Sequence, residues 1–266
     1  MHEIGPFSIP VIRDFVPEKL KPWIVIAIVI VFQLSGGVYL AAVSEMVGST
    51  ALMQEDILMA GYASLVGMAL TFAIMFRLKF RFPPKTALLT CCMAIILCNL
   101  ICMNTRSVPL LVFVSFISGF FRMWGTFECN STVQLWITPK RDLSVFFCYI
   151  YLLVQSCLQF CGLLTVYTSS WIKWEYMHWL IGLLVLVMLV TMVVYHNHRT
   201  MPKLPLYGID WLGAVMWGGI LLCIIFVCVY GEHYDWYESE QIRLATVGGI
   251  ALLLLNLWRA SFIRHP

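Results

Sequence analysis

Apolar runs of about 20 residues recur along this chain, separated by short polar turns, with no soluble-domain-sized stretch between them. Read in apolar windows, the runs fall near Trp23–Val47, Ile57–Phe76, Thr86–Met103, Val108–Val133, Ser144–Tyr167, Met177–Tyr195, Trp211–Val229 and Leu244–Trp258. A helix needs about 20 apolar residues to cross a bilayer, so each run predicts one transmembrane helix. The first run follows Lys19-Leu20-Lys21-Pro22, exceeds a signal-peptide core and has no small-residue cleavage site after it, which predicts a retained helix. The expected fold class is all-α integral membrane, with about eight transmembrane helices.

Composition narrows the class without changing it. Hydrophobic residues make up 61% and charged residues 12% of the 266 residues, and mean hydropathy is +0.87, which excludes a water-soluble globule. The charges are unevenly placed. Arg13, Lys19, Lys21, Arg77, Lys79, Arg81, Lys85, Lys140, Arg141, Arg199, Lys203, Arg259 and Arg264 fall in alternate turns and the termini. The opposite turns hold only Arg106, Lys173 and Arg243. By the positive-inside rule both termini are expected in the cytoplasm of a multi-pass inner-membrane protein, which requires an even number of spans. Acidic residues lean to the other side, with Glu55 and Asp56 in one outer turn and Glu232, Asp235, Glu238 and Glu240 in another. The basic residues form no stripe or recognition motif, so no nucleic-acid partner is expected.

From Tyr207 onward the chain carries a recognisable pattern. Asp210-Trp211-Leu212-Gly213 opens an apolar run that closes at Gly231, and Trp236-Tyr237-Glu238-Ser239 precedes the last run. This resembles the two central helices of the fourteen-span drug:proton antiporter branch of the major facilitator superfamily. Residues 1–200 are similar to that family's N-terminal six-helix bundle in length and loop character. Thr138-Pro139-Lys140-Arg141 looks like its Pro-rich basic turn, and Gly162 with Ser170-Trp171-Ile172-Lys173-Trp174 looks like its Gly-rich helix end and outer Trp turn. The departures are marked. Where the family has Gly-x-Leu-Ala-Asp-Arg-x-Gly-Arg, this chain has Phe76-Arg77-Leu78-Lys79-Phe80-Arg81-Phe82-Pro83-Pro84-Lys85, keeping cations but neither glycine nor Asp. An Asp expected in the first span is replaced by Gln33-Leu34-Ser35-Gly36-Gly37, and the Gly-Pro pair of the fifth span is absent.

The resemblance implies two units, a six-helix bundle over 1–200 and two additional helices over 201–266. It further implies a secondary active transporter, proton-coupled and exporting small amphipathic or drug-like compounds. A second six-helix bundle is then needed, following in the chain or supplied by a partner subunit. Arg77, Lys79, Arg81 and Lys85 become candidates for a cytoplasmic gating loop. The alternatives are a non-catalytic membrane subunit that requires a partner bundle and an intramembrane enzyme.

Arg122 is the sharpest single residue, because it falls in mid-span, where a charge costs about 2.5–3.5 kcal/mol even on the lenient insertion scale. It is a candidate for proton coupling or anionic-group binding, with a helix-packing Arg as the other reading. Glu128, about 9 Å along the same helix, is either a proton-titrating carboxylate or a side chain reaching for the inner interface. Gln33, Ser35 and Tyr39 in the first span, and Gln155 and Gln159 one turn apart in the fifth, suit either a polar cavity lining or helix–helix contacts. Trp124 offers a flat apolar or cation-binding wall, or simple packing. The ten cysteines sit mostly at helix depth and read as small packing residues.

No His-Glu-x-x-His or Gly-x-Ser-x-Gly occurs, and the histidines fall at span ends or in tails. The expectation is a non-enzyme without metal or cofactor, whose partners are the lipid bilayer, a small-molecule substrate and protons. The Asn130-Ser131-Thr132 sequon lies inside a span, beyond the reach of glycosylation.

Overall fold

The computed structural model describes residues 11–35, 43–50, 52–137, 142–171, 178–196 and 209–262, and these are helical with no β-strand. In chain order the α-helices are α1 (Lys21–Leu34), α2 (Val43–Thr50), α3 (Gln54–Arg81), α4 (Pro84–Asn104) and α5 (Val108–Ile137). They continue with α6 (Leu143–Trp171), α7 (His178–Val194), α8 (Trp211–Tyr230) and α9 (Glu240–Phe262). α3 to α6, α8 and α9 are long and apolar enough to cross a membrane, while α1 and α7 are shorter apolar helices.

Two boundaries differ from the sequence expectation. The first run was expected as one span to Val47, yet α1 has 14 residues, about 21 Å of rise against a hydrocarbon core of ~30 Å. The described residues resume at Val43 with α2, and Tyr39 lies outside them. The second run continues past Phe76 to Arg81, so Arg77, Lys79 and Arg81 ride the end of a helix instead of a loop. Nothing in Arg77-Leu78-Lys79-Phe80-Arg81 breaks a helix. Pro83 and Pro84 do, because Phe82 before them is pushed to extended backbone (φ −105°, ψ 143°) and the next helix starts at once on Pro84.

α3 and α5 run parallel at the centre, with their backbones in direct contact. A Cβ on Gly67 would overlap the carbonyl of Phe116, and one on Gly119 would overlap that of Ser64, so the two backbones touch where these residues lack side chains. Thr71 bridges the same seam, its Oγ1 donating to the Gly67 carbonyl at 2.8 Å and to the Phe120 carbonyl at 3.2 Å. α1 and α4 flank α5, α6 lies on α1, and α7 lies on α4 and α1. α8 packs on α3, with Gly218 against Leu70 and Tyr230 beside Met59, and α9 packs on α8. Buried cysteines on α4 (Cys91, Cys92, Cys98, Cys102), α5 (Cys129) and α6 (Cys157, Cys161) fill the core as small apolar side chains.

The helix ends sort the charges. Ile12 and Tyr195 form an antiparallel β-bridge, with the Arg13 N–H donating to the Val194 carbonyl at 3.0 Å. Lys85 at the start of α4 donates to the Met192 carbonyl near the end of α7, and Lys79 at the end of α3 donates to Ser131 near the end of α5. α8 runs antiparallel to α3, so its start, with Asp210 and Arg259, lies at this same end. Large side chains such as Leu152, Leu163, Val215 and Val247 face outward, and Trp23, Trp211, Trp236 and Trp258 are exposed at helix ends. That is the surface of a helix bundle compatible with a multi-pass membrane protein.

Candidate functional site

α5 concentrates the buried polarity. Ser115, Arg122, Thr126, Glu128 and Asn130 are all at most 5% exposed. Its path explains how this is tolerated. It is flanked by α1, α3 and α4, and these five residues are buried against protein while Phe120, Phe121, Met123 and Phe127 are only half-buried.

Arg122 is fully buried, with Nη2 against the Met68 sulfur of α3 and neither Nε nor Nη1 hydrogen-bonded. The Cys161 thiol of α6 is within electrostatic reach, and it donates to the Leu34 carbonyl of α1 at 2.8 Å. The guanidinium therefore lies where α1, α3, α5 and α6 converge.

Glu128 lies nearer the basic end, with both carboxylate oxygens buried and without a hydrogen-bond partner. Its electrostatic partner is Lys79. That lysine is bonded to Ser131 and sits 5.7 Å from the centre of the Phe127 ring. Ser131 and Thr132 in turn donate to the Glu128 carbonyl at 2.9 and 2.8 Å. The sequence places no acidic residue near the cations of the α3–α4 turn, but the fold brings one from α5.

Gln33 reaches the same helix from α1, its Nε2 donating to Thr126 Oγ1 at 2.9 Å while Oε1 has no partner. Next to it, the ring of Phe32 occupies the space a side chain on Gly125 would need. Ser35 is satisfied within its own helix end, its Oγ donating to the Phe32 carbonyl at 2.7 Å. Trp124 is buried among Phe82, Phe120 and Phe121, with ring centres 5.4, 6.5 and 6.1 Å away, and so belongs to an aromatic cluster. Gln155 and Gln159 share a face of α6, but it is the exposed face. The buried stripe of that helix is Leu153, Cys157, Cys161 and Thr165. Arg77 is exposed, and Arg81 and Lys85 are half-buried.

The site residues missed at sequence level are Met68, Thr126, Ser131 and Tyr195. Thr126 was findable, since it is one turn from Arg122 on the same face of an apolar run. Tyr195 is fully buried, its hydroxyl unpartnered and within electrostatic reach of Glu128, and no local pattern announces that contact between remote helices. Compared with known proteins, the chain matches no family model and no curated protein sequence.

Proposed function

We propose that this chain is the membrane-embedded part of a secondary active transporter that couples protons to the movement of small amphipathic or drug-like compounds. In this reading residues 1–200 are a major-facilitator-type six-helix bundle in a cell inner membrane, and 201–266 are two helices added to it. The basic end, with both termini, faces the cytoplasm. The observation that carries the reading is α5, which buries a guanidinium and a carboxylate with unpartnered polar atoms inside an apolar bundle. Intramembrane ionisable groups are costly and mark ion or substrate paths. Glu128 is the proton-exchanging group and Lys79 its counter-charge.

The test is proton movement in liposomes reconstituted with the full chain and loaded with the pH indicator pyranine. Either of two xanthene dyes, the anion fluorescein or the cation rhodamine 123, is added against an imposed pH gradient. Dye-dependent collapse of the gradient should run at least tenfold faster than in empty vesicles, and Glu128→Gln should abolish it. A Glu128→Gln protein that collapses the gradient at the wild-type rate overturns the assignment of Glu128.

A second reading, a membrane subunit completed by a partner bundle, is favoured by Gln155 and Gln159. Two amides facing outward among lipid-exposed apolar side chains suit a helix–helix interface.

A further inference from the structure

We infer that Arg122 is the binding point for an anionic group, a carboxylate, sulfonate or phosphate, carried by the transported compound. This rests on the transporter reading above and names its substrate class. Arg122 is the fifteenth of the 30 residues of α5 and 1% exposed, with Nε and Nη1 unpartnered and only a thioether, a weak acceptor, at Nη2. No carboxylate among the described residues is paired with it. The ion pairs among the described residues are Lys21–Glu18 and Arg259–Asp210, both at helix ends. Glu128 lies about 9 Å along α5 and about 120° around it, facing Lys79. A buried cation without a counter-charge is unfavourable, and an anion that enters repays that cost with charge-assisted hydrogen bonds.

The surroundings add a second requirement. Met68 of α3 lies against the guanidinium and the Cys161 thiol of α6 is within its electrostatic reach, so this side of it is a largely apolar wall. A compound that fits has an anionic head for Arg122 and an apolar body for that wall. A cation of the same shape meets repulsion.

The experiment compares initial uptake of fluorescein and rhodamine 123, which share a ring system and differ in charge, by full-chain proteoliposomes under a pH gradient. Wild type should move fluorescein faster. Arg122→Gln should slow fluorescein more than tenfold, and Arg122→Lys, which keeps the charge, should retain a measurable part. Two results overturn the inference alone: wild type preferring rhodamine 123, or a monodisperse Arg122→Gln protein moving fluorescein at the wild-type rate. The first of these needs no variant, so a misfolded Arg122→Gln protein does not shield the inference. If wild type moves neither dye, the transporter reading fails and this inference with it.

Discussion

α5 and the α8–α9 hairpin are both long apolar helical elements, yet they handle polarity in opposite ways. In the hairpin, polar groups at the helix ends are tied to one another. Asp210 caps α8 by accepting the Gly213 N–H at 2.9 Å, and its carboxylate also accepts Arg259 Nη1 at 2.8 Å and Nη2 at 2.5 Å. A side chain on Gly213 would collide with that carboxylate. At the other end Trp236 donates its N–H to the Gly231 carbonyl at 2.7 Å and lays its ring where a Gly231 side chain would be. Ser239 accepts the Gln241 N–H as α9 begins. These contacts account for Asp210, Gly213, Gly231, Trp236 and Ser239 as residues that tie a hairpin. On α5 the polar groups are central, buried and only partly matched, an arrangement that costs stability and points to function.

The sharpest contrast between the two regions is steric. Gly119→Val pushes a side chain into the Ser64 backbone, where nothing can rotate away. Overpacking typically costs about 1–3 kcal/mol, and backbone that cannot give way puts this site at the upper end, so the variant should melt far below wild type in detergent and aggregate on size exclusion. Gly248 on α9 has open space around its Cβ position, and Gly248→Val should stay within about 0.5 kcal/mol of wild type. If the two variants melt alike, α5 is not the tightly packed partner described here.

The helices themselves were legible because apolar run length is a one-dimensional signal, and the split of basic residues foretold the gathering of helix ends. What stayed hidden were the relations between helices. Lys79 reads as a loop cation, yet the helix runs on through Arg81 and carries it to Ser131 and Glu128, some 50 residues away. Gln155 and Gln159 read correctly as sharing a face, but spacing alone does not say whether that face looks inward. Trp124 is two residues from Arg122 in sequence and therefore on nearly the opposite side of the helix, which is why it joins Phe82 and Phe121 instead.

A smaller effect comes from the Gln33–Thr126 bond, the side-chain hydrogen bond that ties α1 to the polar face of α5. Interhelical bonds of this type average about 0.6 kcal/mol and reach about 1.7. Gln33→Leu should therefore cost less than the steric variant. A double-mutant cycle with Thr126→Val should return a coupling of about 0.6 kcal/mol. A coupling near zero would place the polar contact of α1 elsewhere.

The smallest effect belongs to the hairpin's own ion pair. Arg259 and then the Gly213 N–H hold the Asp210 carboxyl below its ordinary value. A carboxyl depressed by folding adds stability above the unfolded value of about 3.9, and that stability is lost as pH falls through the folded value. Asp210→Asn keeps a capping oxygen and removes the charge, so it isolates the ion pair from the cap. The Asp210 side chain is 36% exposed and that of Arg259 24%, so water and salt screen the attraction and the difference in melting temperature should be small. It should hold steady from neutral pH to about 4.5, shrink below about 3.9 and diminish with added salt. A gap that persists unchanged in acid would mean that the cap geometry, not the charge, ties α8 to α9, and the hairpin would then owe its stability to packing, as the α3–α5 seam does.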